Sequence, residues 1–183
     1  MADDGLEPFD VTGRWVGFYR HRWEEMGTFP ITADVRQVGE ALSGEMYDQV
    51  PGRSQSLDNI LEIVRDDLSP SRRRRVEATI RRFGAGAVVV SSTLPETSDL
   101  VGTVRGDQVT FTKTYRGPCQ SQVTVGERVL RTLWRDRHRV HYFGRLDREK
   151  GCVAGEWIIR RRGLLGRFLP PEGRGTFELY RKT

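Results

Sequence analysis

From Gly13 to Arg181, apolar side chains return at every second position in one short segment after another, with turn residues between the segments. A period of two is the signature of a strand with one buried face. Trp15, Gly17 and Tyr19 share one face of the first segment, Gly13 to His21, and Val16 and Phe18 share the other. Phe29, Ile31, Ala33 and Val35 alternate next. After a turn at Gly39-Glu40 come Leu42, Gly44 and Met46. The run Ala87 to Val90 ends at Pro95. Leu100, Gly102 and Val104 lead into Gly106-Asp107, which suits a type II′ hairpin turn. Val109, Phe111, Lys113 and Tyr115 share a face on the return strand. A poorer strand pair spans roughly 121–134. Val140, Tyr142, Gly144 and Leu146 follow, then Val153, Gly155, Trp157 and Ile159. A Gly- and Pro-rich loop from Gly163 to Gly175 precedes the last run, Phe177, Leu179 and Arg181.

Many short strands joined by tight turns indicate a sandwich or a barrel, and pairing in chain order favours an up-and-down meander. Glycine weakens a strand interior, yet Gly17, Gly44, Gly102, Gly144 and Gly155 all fall inside apolar-alternating sets. Such placements mark tight bends or close packing, which a sheet needs in order to close on itself. The expected fold is therefore mainly β: a single antiparallel up-and-down β-barrel of about eight to ten strands, with residues 1–183 forming one domain. A chain of 183 residues can bury a core without disulfide or metal staples.

One stretch breaks the rhythm. Ser56 is a candidate N-cap, and Leu57, Ile60, Leu61, Val64 and Leu68 follow at helical spacing. Pro70 is suited to open a second helix, with Val76, Ile80 and Phe83 as its apolar stripe and Gly84 at its C-terminal end. Residues 56–83 thus read as a helical insertion within the barrel.

The same stretch carries the charge. Arg72, Arg73, Arg74, Arg75, Arg81 and Arg82 against Glu77 give +5, which equals the formal net charge of the whole chain. Cations in the first turn of a helix oppose its dipole. One reading is a docking face for acidic partners or anionic surfaces; the other is neutralisation within the fold by Asp66, Asp67 and other acids. Aromatic residues are not interleaved with these arginines, which argues against recognition of single-stranded nucleic acid by stacking.

No apolar run approaches the roughly 20 residues of a transmembrane helix. The acidic start, Met1 to Glu7, lacks the apolar centre of a signal peptide, so the expected location is the cytoplasm. Cys119 and Cys152 have no metal-ligand spacing and are expected to be free thiols. His21, His138 and His141 form no metal motif and read as surface or rim residues. The adjacent pairs Glu24-Glu25 and Asp66-Asp67 do not converge on one point as an acid/base pair must. No phosphate loop, dinucleotide fingerprint or nucleophile elbow occurs. Arg105-Gly106-Asp107 matches an adhesion tripeptide by coincidence of a hairpin turn. The sequence calls for no cofactor and no metal, and it does not point to an enzyme.

With Gly13-Arg14-Trp15 on the first strand and Arg181 on the last, the chain resembles the calycin superfamily of lipocalins and fatty-acid-binding proteins. In that superfamily the tryptophan closes one end of the barrel and the late arginine packs over it. The resemblance implies the same for Trp15 and Arg181, with a cation–π contact between them. It departs in two respects, the helical insertion and the absence of the signal and disulfide of secreted lipocalins. The implied function is a binding protein that holds a small, partly apolar or anionic ligand in its lumen. The candidate ligand-binding residues are Trp15, Tyr19, Phe111, Lys113, Tyr115, Tyr142, Trp157 and Arg181. Lys113 has two readings: an inward cation that anchors an anionic head group, or a side chain near a barrel mouth that snorkels to water. The alternative function is an interaction module that docks acidic partners through Arg72, Arg73, Arg74 and Arg75 on the helix 70–83.

Overall fold

The structure is a computed structural model that describes residues 9–23, 26–50, 52–160 and 172–182. Glu24-Glu25, the N-terminal acidic stretch and most of the Gly163–Gly175 loop lie outside the described residues. Twelve strands and two α-helices are formed among the described residues. They run β1 (Gly13–His21), β2 (Thr28–Val38), β3 (Ala41–Asp48), β4 (Gly52–Ser56), α1 (Leu57–Val64), α2 (Pro70–Phe83), β5 (Val88–Thr93), β6 (Thr97–Arg105), β7 (Gln108–Tyr115), β8 (Cys119–Val125), β9 (Arg128–Arg135), β10 (Arg139–Asp147), β11 (Cys152–Ile159) and β12 (Gly173–Arg181). A short 3-10 turn, Arg65–Asp67, links the helices.

Eight strands close into an antiparallel barrel in the order β1-β12-β11-β10-β7-β6-β3-β2. First and last strands are neighbours, with Trp15 opposite Arg181 and Tyr19 opposite Phe177. The barrel is up-and-down, as the alternation predicts. Its chain order is interrupted twice, because β3 pairs with β6 and β7 pairs with β10. The strands skipped at those points form a separate four-stranded sheet, β4-β5-β8-β9. The insertion is thus larger than the helical pair over 56–83: strands from two excursions of the chain meet in one sheet, with α1 against β4 and β5 and α2 against α1. Strands β4 and β9 expose or only half-bury every residue; β4 has no apolar face to announce it in sequence, whereas β8 and β9 are the poorer strand pair expected at roughly 121–134.

The glycines explain how the barrel closes. A Cβ on Gly17 would sit 1.9 Å from the Glu178 carbonyl oxygen, across the β1–β12 seam. One on Gly155 would sit 2.1 Å from the Phe143 oxygen of β10. Real Cβ atoms do not approach backbone so closely, so glycine is what permits these strand crossings. At the β6–β7 hairpin Gly106 takes φ +62 while Asp107 does not enter the positive-φ region, as a type II′ turn requires.

The core fills the barrel. Trp15, Ile31, Met46, Leu100 and Phe177 are essentially inaccessible, and Phe111 stacks on Tyr142 at 4.5 Å. At one end the residues before β1 fold over the opening, and the Trp15 indole donates to the Val11 carbonyl at 2.8 Å. Arg181 does not cover Trp15. Its guanidinium lies over the Phe9 ring at 5.7 Å and donates to the Thr12 carbonyl at 2.6 Å. The chain before β1 supplies the aromatic face that the resemblance assigned to tryptophan.

Candidate functional site

The opposite end of the barrel is covered by the second sheet, and between the two lies a cavity of about 320 Å³. Barrel strands supply its inner wall: Tyr19 and His21 from β1, Phe29 from β2, Tyr115 from β7, Tyr142 from β10 and Trp157 from β11. The covering wall comes from Arg53 and Gln55 on β4, Val90 and Ser92 on β5, and Ile60 on α1. The inserted elements therefore have a structural task, that of roofing a space which the barrel alone would leave open to water.

The inner wall is an aromatic box. Tyr19 stacks on Phe29 at 5.0 Å and meets Trp157 edge-on at 5.8 Å. His21 meets Phe29 and Trp157 edge-on at 5.6 and 5.0 Å. The Trp157 indole donates to the Arg20 carbonyl at 3.0 Å, which fixes its ring. Across the cavity Tyr115 stacks on His138 at 5.8 Å. Rings held by one another in this way present a preformed apolar surface.

Electrostatics follow from the burial. Desolvation pushes His21 down to about 4, with the Arg53 charge adding to it, so the imidazole is neutral at pH 7. Desolvation likewise raises the Tyr19 hydroxyl far above its usual range, with Asp48 adding to the effect. Arg53 is the one permanent charge in the cavity wall among the described residues. Its guanidinium lies over Phe29 at 4.6 Å and donates to the Met26 carbonyl at 2.5 Å. Burial lowers its basicity, and no carboxylate reaches it among the described residues.

Four of the eight residues singled out from sequence line this cavity: Tyr19, Tyr115, Tyr142 and Trp157. Trp15 and Phe111 instead bound a gap of about 20 Å³ at the other end of the barrel. Arg181 lies on the surface. Lys113 points inward, as its phase requires, but fits neither reading of its role. It is wholly inaccessible, and its Nζ donates to Asp48 Oδ2 at 2.5 Å while lying 4.6 Å over the Tyr115 ring. Burial pushes the ammonium down and the Asp48 carboxylate opposes that. The cation is already matched by an internal anion, so it neither snorkels nor offers a free charge to a ligand. Asp48 Oδ1 is buried without a hydrogen-bond partner among the described residues.

The sequence reading misses Arg53; His21 and His138, expected at the surface or rim, are half-buried and line the cavity at this end of the barrel. Parity gives no access to Arg53, since its strand has no apolar alternation. His21 does continue the phase of Trp15, Gly17 and Tyr19, a signal that the sequence carries. Both cysteines are buried, and they form no disulfide with each other. Among the described residues no three His, Cys, Asp or Glu side chains gather as a metal site would need, and no helix is long and apolar enough to cross a membrane.

Within the run Arg72 to Arg75, Arg73 alone makes a side-chain hydrogen bond or ion pair among the described residues. It donates to the Arg65 carbonyl at 2.9 Å and stands 4.0 Å from Asp66. Asp67 turns away to Arg22 and to the Trp23 indole, the latter at 2.7 Å. Arg72, Arg74 and Arg75 are exposed, with no ion pair among the described residues, so internal neutralisation does not account for the run. Comparison of the chain with protein-family models, with curated proteins and with solved structures finds no match in any of the three.

Proposed function

We propose that this chain is a lipocalin-like binding protein that holds a small, largely apolar ligand between the barrel end and its sheet roof. The observation that supports this reading best is the cavity of about 320 Å³ with a preformed aromatic wall, a volume in the range of small-molecule sites. A barrel needed only as a scaffold gains from filling such a space, because each unfilled volume costs packing energy. The surface that the wall presents is mainly apolar, with polar tips among its aromatic rings that suit orientation of a ligand. Arg53, unmatched by any described carboxylate, suits an anionic group on that ligand better than Lys113, which Asp48 already neutralises. Native mass spectrometry of the purified full chain, before and after denaturation, tests the reading. The expected result is a small molecule carried by the native protein or taken up stoichiometrically from an amphiphile mixture. Native protein that stays ligand-free at every concentration contradicts it.

A second reading, in which the chain docks acidic partners through Arg72, Arg73, Arg74 and Arg75, is favoured by one observation: α2 buries no residue and three of these arginines lack ion pairs among the described residues. It is tested by salt-dependent binding to anionic partners, compared with a variant carrying glutamine at all four positions. Equal binding by both proteins contradicts it.

A further inference from the structure

Beside the cavity lies a second hollow of about 470 Å³, formed by Arg135, Asp136, Arg137, His138, Arg139 and His141 with Arg160 and Glu172. Its walls come from the β9–β10 turn, the start of β10 and the ends of the β11–β12 connection. Four arginines face two carboxylates there, and Glu172 pairs with Arg135. Arg137, Arg139 and Arg160 are exposed and make no ion pair among the described residues. Like charges gathered in a concavity repel one another and focus a positive potential into it. That potential is felt by His141, which burial, Arg160 and Arg139 together push below its usual range.

The turn carries a second sign. Arg137 takes φ +45, and it is the one non-glycine with positive φ among the described residues. The comparable turn positions Gly39, Gly106, Gly126 and Gly151 are glycine. An arginine held where glycine or asparagine is cheaper is a backbone cost that a charge at that point offsets.

The hollow and the cavity share a wall. His138 lines both, and its ring is stacked on Tyr115. We infer that the hollow binds a phosphate head group of the ligand whose apolar body occupies the cavity, so that the ligand class is an amphiphilic phosphate ester. Arginine is the residue suited to this, because its planar fork matches phosphate oxygens two at a time. The inference rests on the cavity reading and goes beyond it in assigning the head group and its site.

The test is calorimetric titration of the full chain with n-decyl phosphate, n-decanol and inorganic phosphate, repeated on an Arg137→Asn/Arg160→Gln variant. Both positions are exposed, and asparagine relaxes the turn, so the variant is expected to fold like the parent. Decyl phosphate is expected to bind at least about tenfold more tightly than either other probe, and the variant to lose that advantage while binding decanol unchanged. Equal affinity for decyl phosphate and decanol, or an advantage that survives in the variant, overturns the head-group assignment and leaves the cavity reading standing. Inorganic phosphate binding as tightly as decyl phosphate makes the hollow a free-anion site and overturns it too. Failure of both decyl probes to bind overturns the cavity reading and this inference with it.

Discussion

Replacing Lys113 by methionine removes a buried cation and leaves Asp48 as a carboxylate with no counter-charge. Lys113 is fully inaccessible and the Asp48 side chain only 3% accessible, so water cannot substitute for the lost partner. Breaking one side of such a pair costs about 3–5 kcal/mol. The reciprocal change, Asp48→Asn, leaves an ammonium that must be buried alone or lose its proton. Deprotonating a lysine at pH 7 costs up to about 4.6 kcal/mol, from 3.4 pH units at 1.36 kcal/mol each, as a rough ceiling. Each single variant therefore forfeits a large part of the about 5–15 kcal/mol that holds a domain together. Replacing both partners removes both charges, and the Lys113→Met/Asp48→Asn protein is expected to be more stable than the sum of the single losses by about 2 kcal/mol or more. Equilibrium urea unfolding at pH 7, followed by tryptophan emission, measures all four proteins. With a slope of about 2 kcal/mol/M, a 4 kcal/mol loss moves the midpoint by about 2 M. If the single variants fail to fold, a folded double variant still carries the point. Additive losses, or singles within about 1 kcal/mol of the parent, refute the argument that this pair is a closed internal neutralisation.

Three further outcomes follow from the same geometry. His21 has a native pKa of about 4 against about 6.5 unfolded, so the unfolded chain binds more protons between those values; the stability it contributes is full above about pH 6.5 and is lost as pH falls towards 4, by about 2 kcal/mol once partial exposure is allowed for. A His21→Asn protein is expected to lose less stability between pH 7 and pH 4.5 than the parent in urea titrations, and identical pH profiles contradict this. Gly17→Ala forces a methyl against the Glu178 carbonyl in the closing seam and is expected to cost about 3 kcal/mol or more, whereas Gly52→Ala, with open space at its Cβ, costs under about 0.5 kcal/mol; thermal melts that rank them otherwise refute the reading of the seam. Arg53→Met is expected to weaken binding of 8-anilinonaphthalene-1-sulfonate about tenfold while leaving its uncharged parent N-phenyl-1-naphthylamine unaffected, because only the former has an anion for the guanidinium; equal effects on both probes, read by fluorescence titration, contradict a charge-specific role.

The barrel strands are legible in the sequence because each has one face in the core. Phe111, Lys113 and Tyr115 keep their inward phase, and Trp15 and Arg181 meet across the closing seam. The glycines mark the seam contacts, since a missing Cβ inside an apolar set shows where the neighbouring backbone comes too close for one. What escapes is how the weaker strands assemble. Gly52–Ser56 carries no period-two pattern, so Arg53 and the cavity it roofs are invisible in sequence; the run from Ala87 and the poorer pair at roughly 121–134 are legible as strands, but nothing local shows that they leave the barrel to form a second sheet. Parity places Tyr19, Tyr115, Tyr142 and Trp157 inside, but parity does not say which end of the barrel is hollow. Trp15 and Phe111 obey the same alternation and belong to the packed end. The role of Lys113 depends on its partner Asp48, 65 residues away, which no local pattern connects to it.

The most direct test of a ligand cavity is a titration of the full chain with N-phenyl-1-naphthylamine, repeated on a Val90→Trp variant in which an indole fills the space beneath the roof. The expected result is saturable one-to-one binding in the micromolar range, about −8 kcal/mol, lost in the variant while its unfolding midpoint stays near that of the parent. No saturable binding by the parent, or equal binding by both proteins, contradicts the claim that this end of the barrel is a binding site.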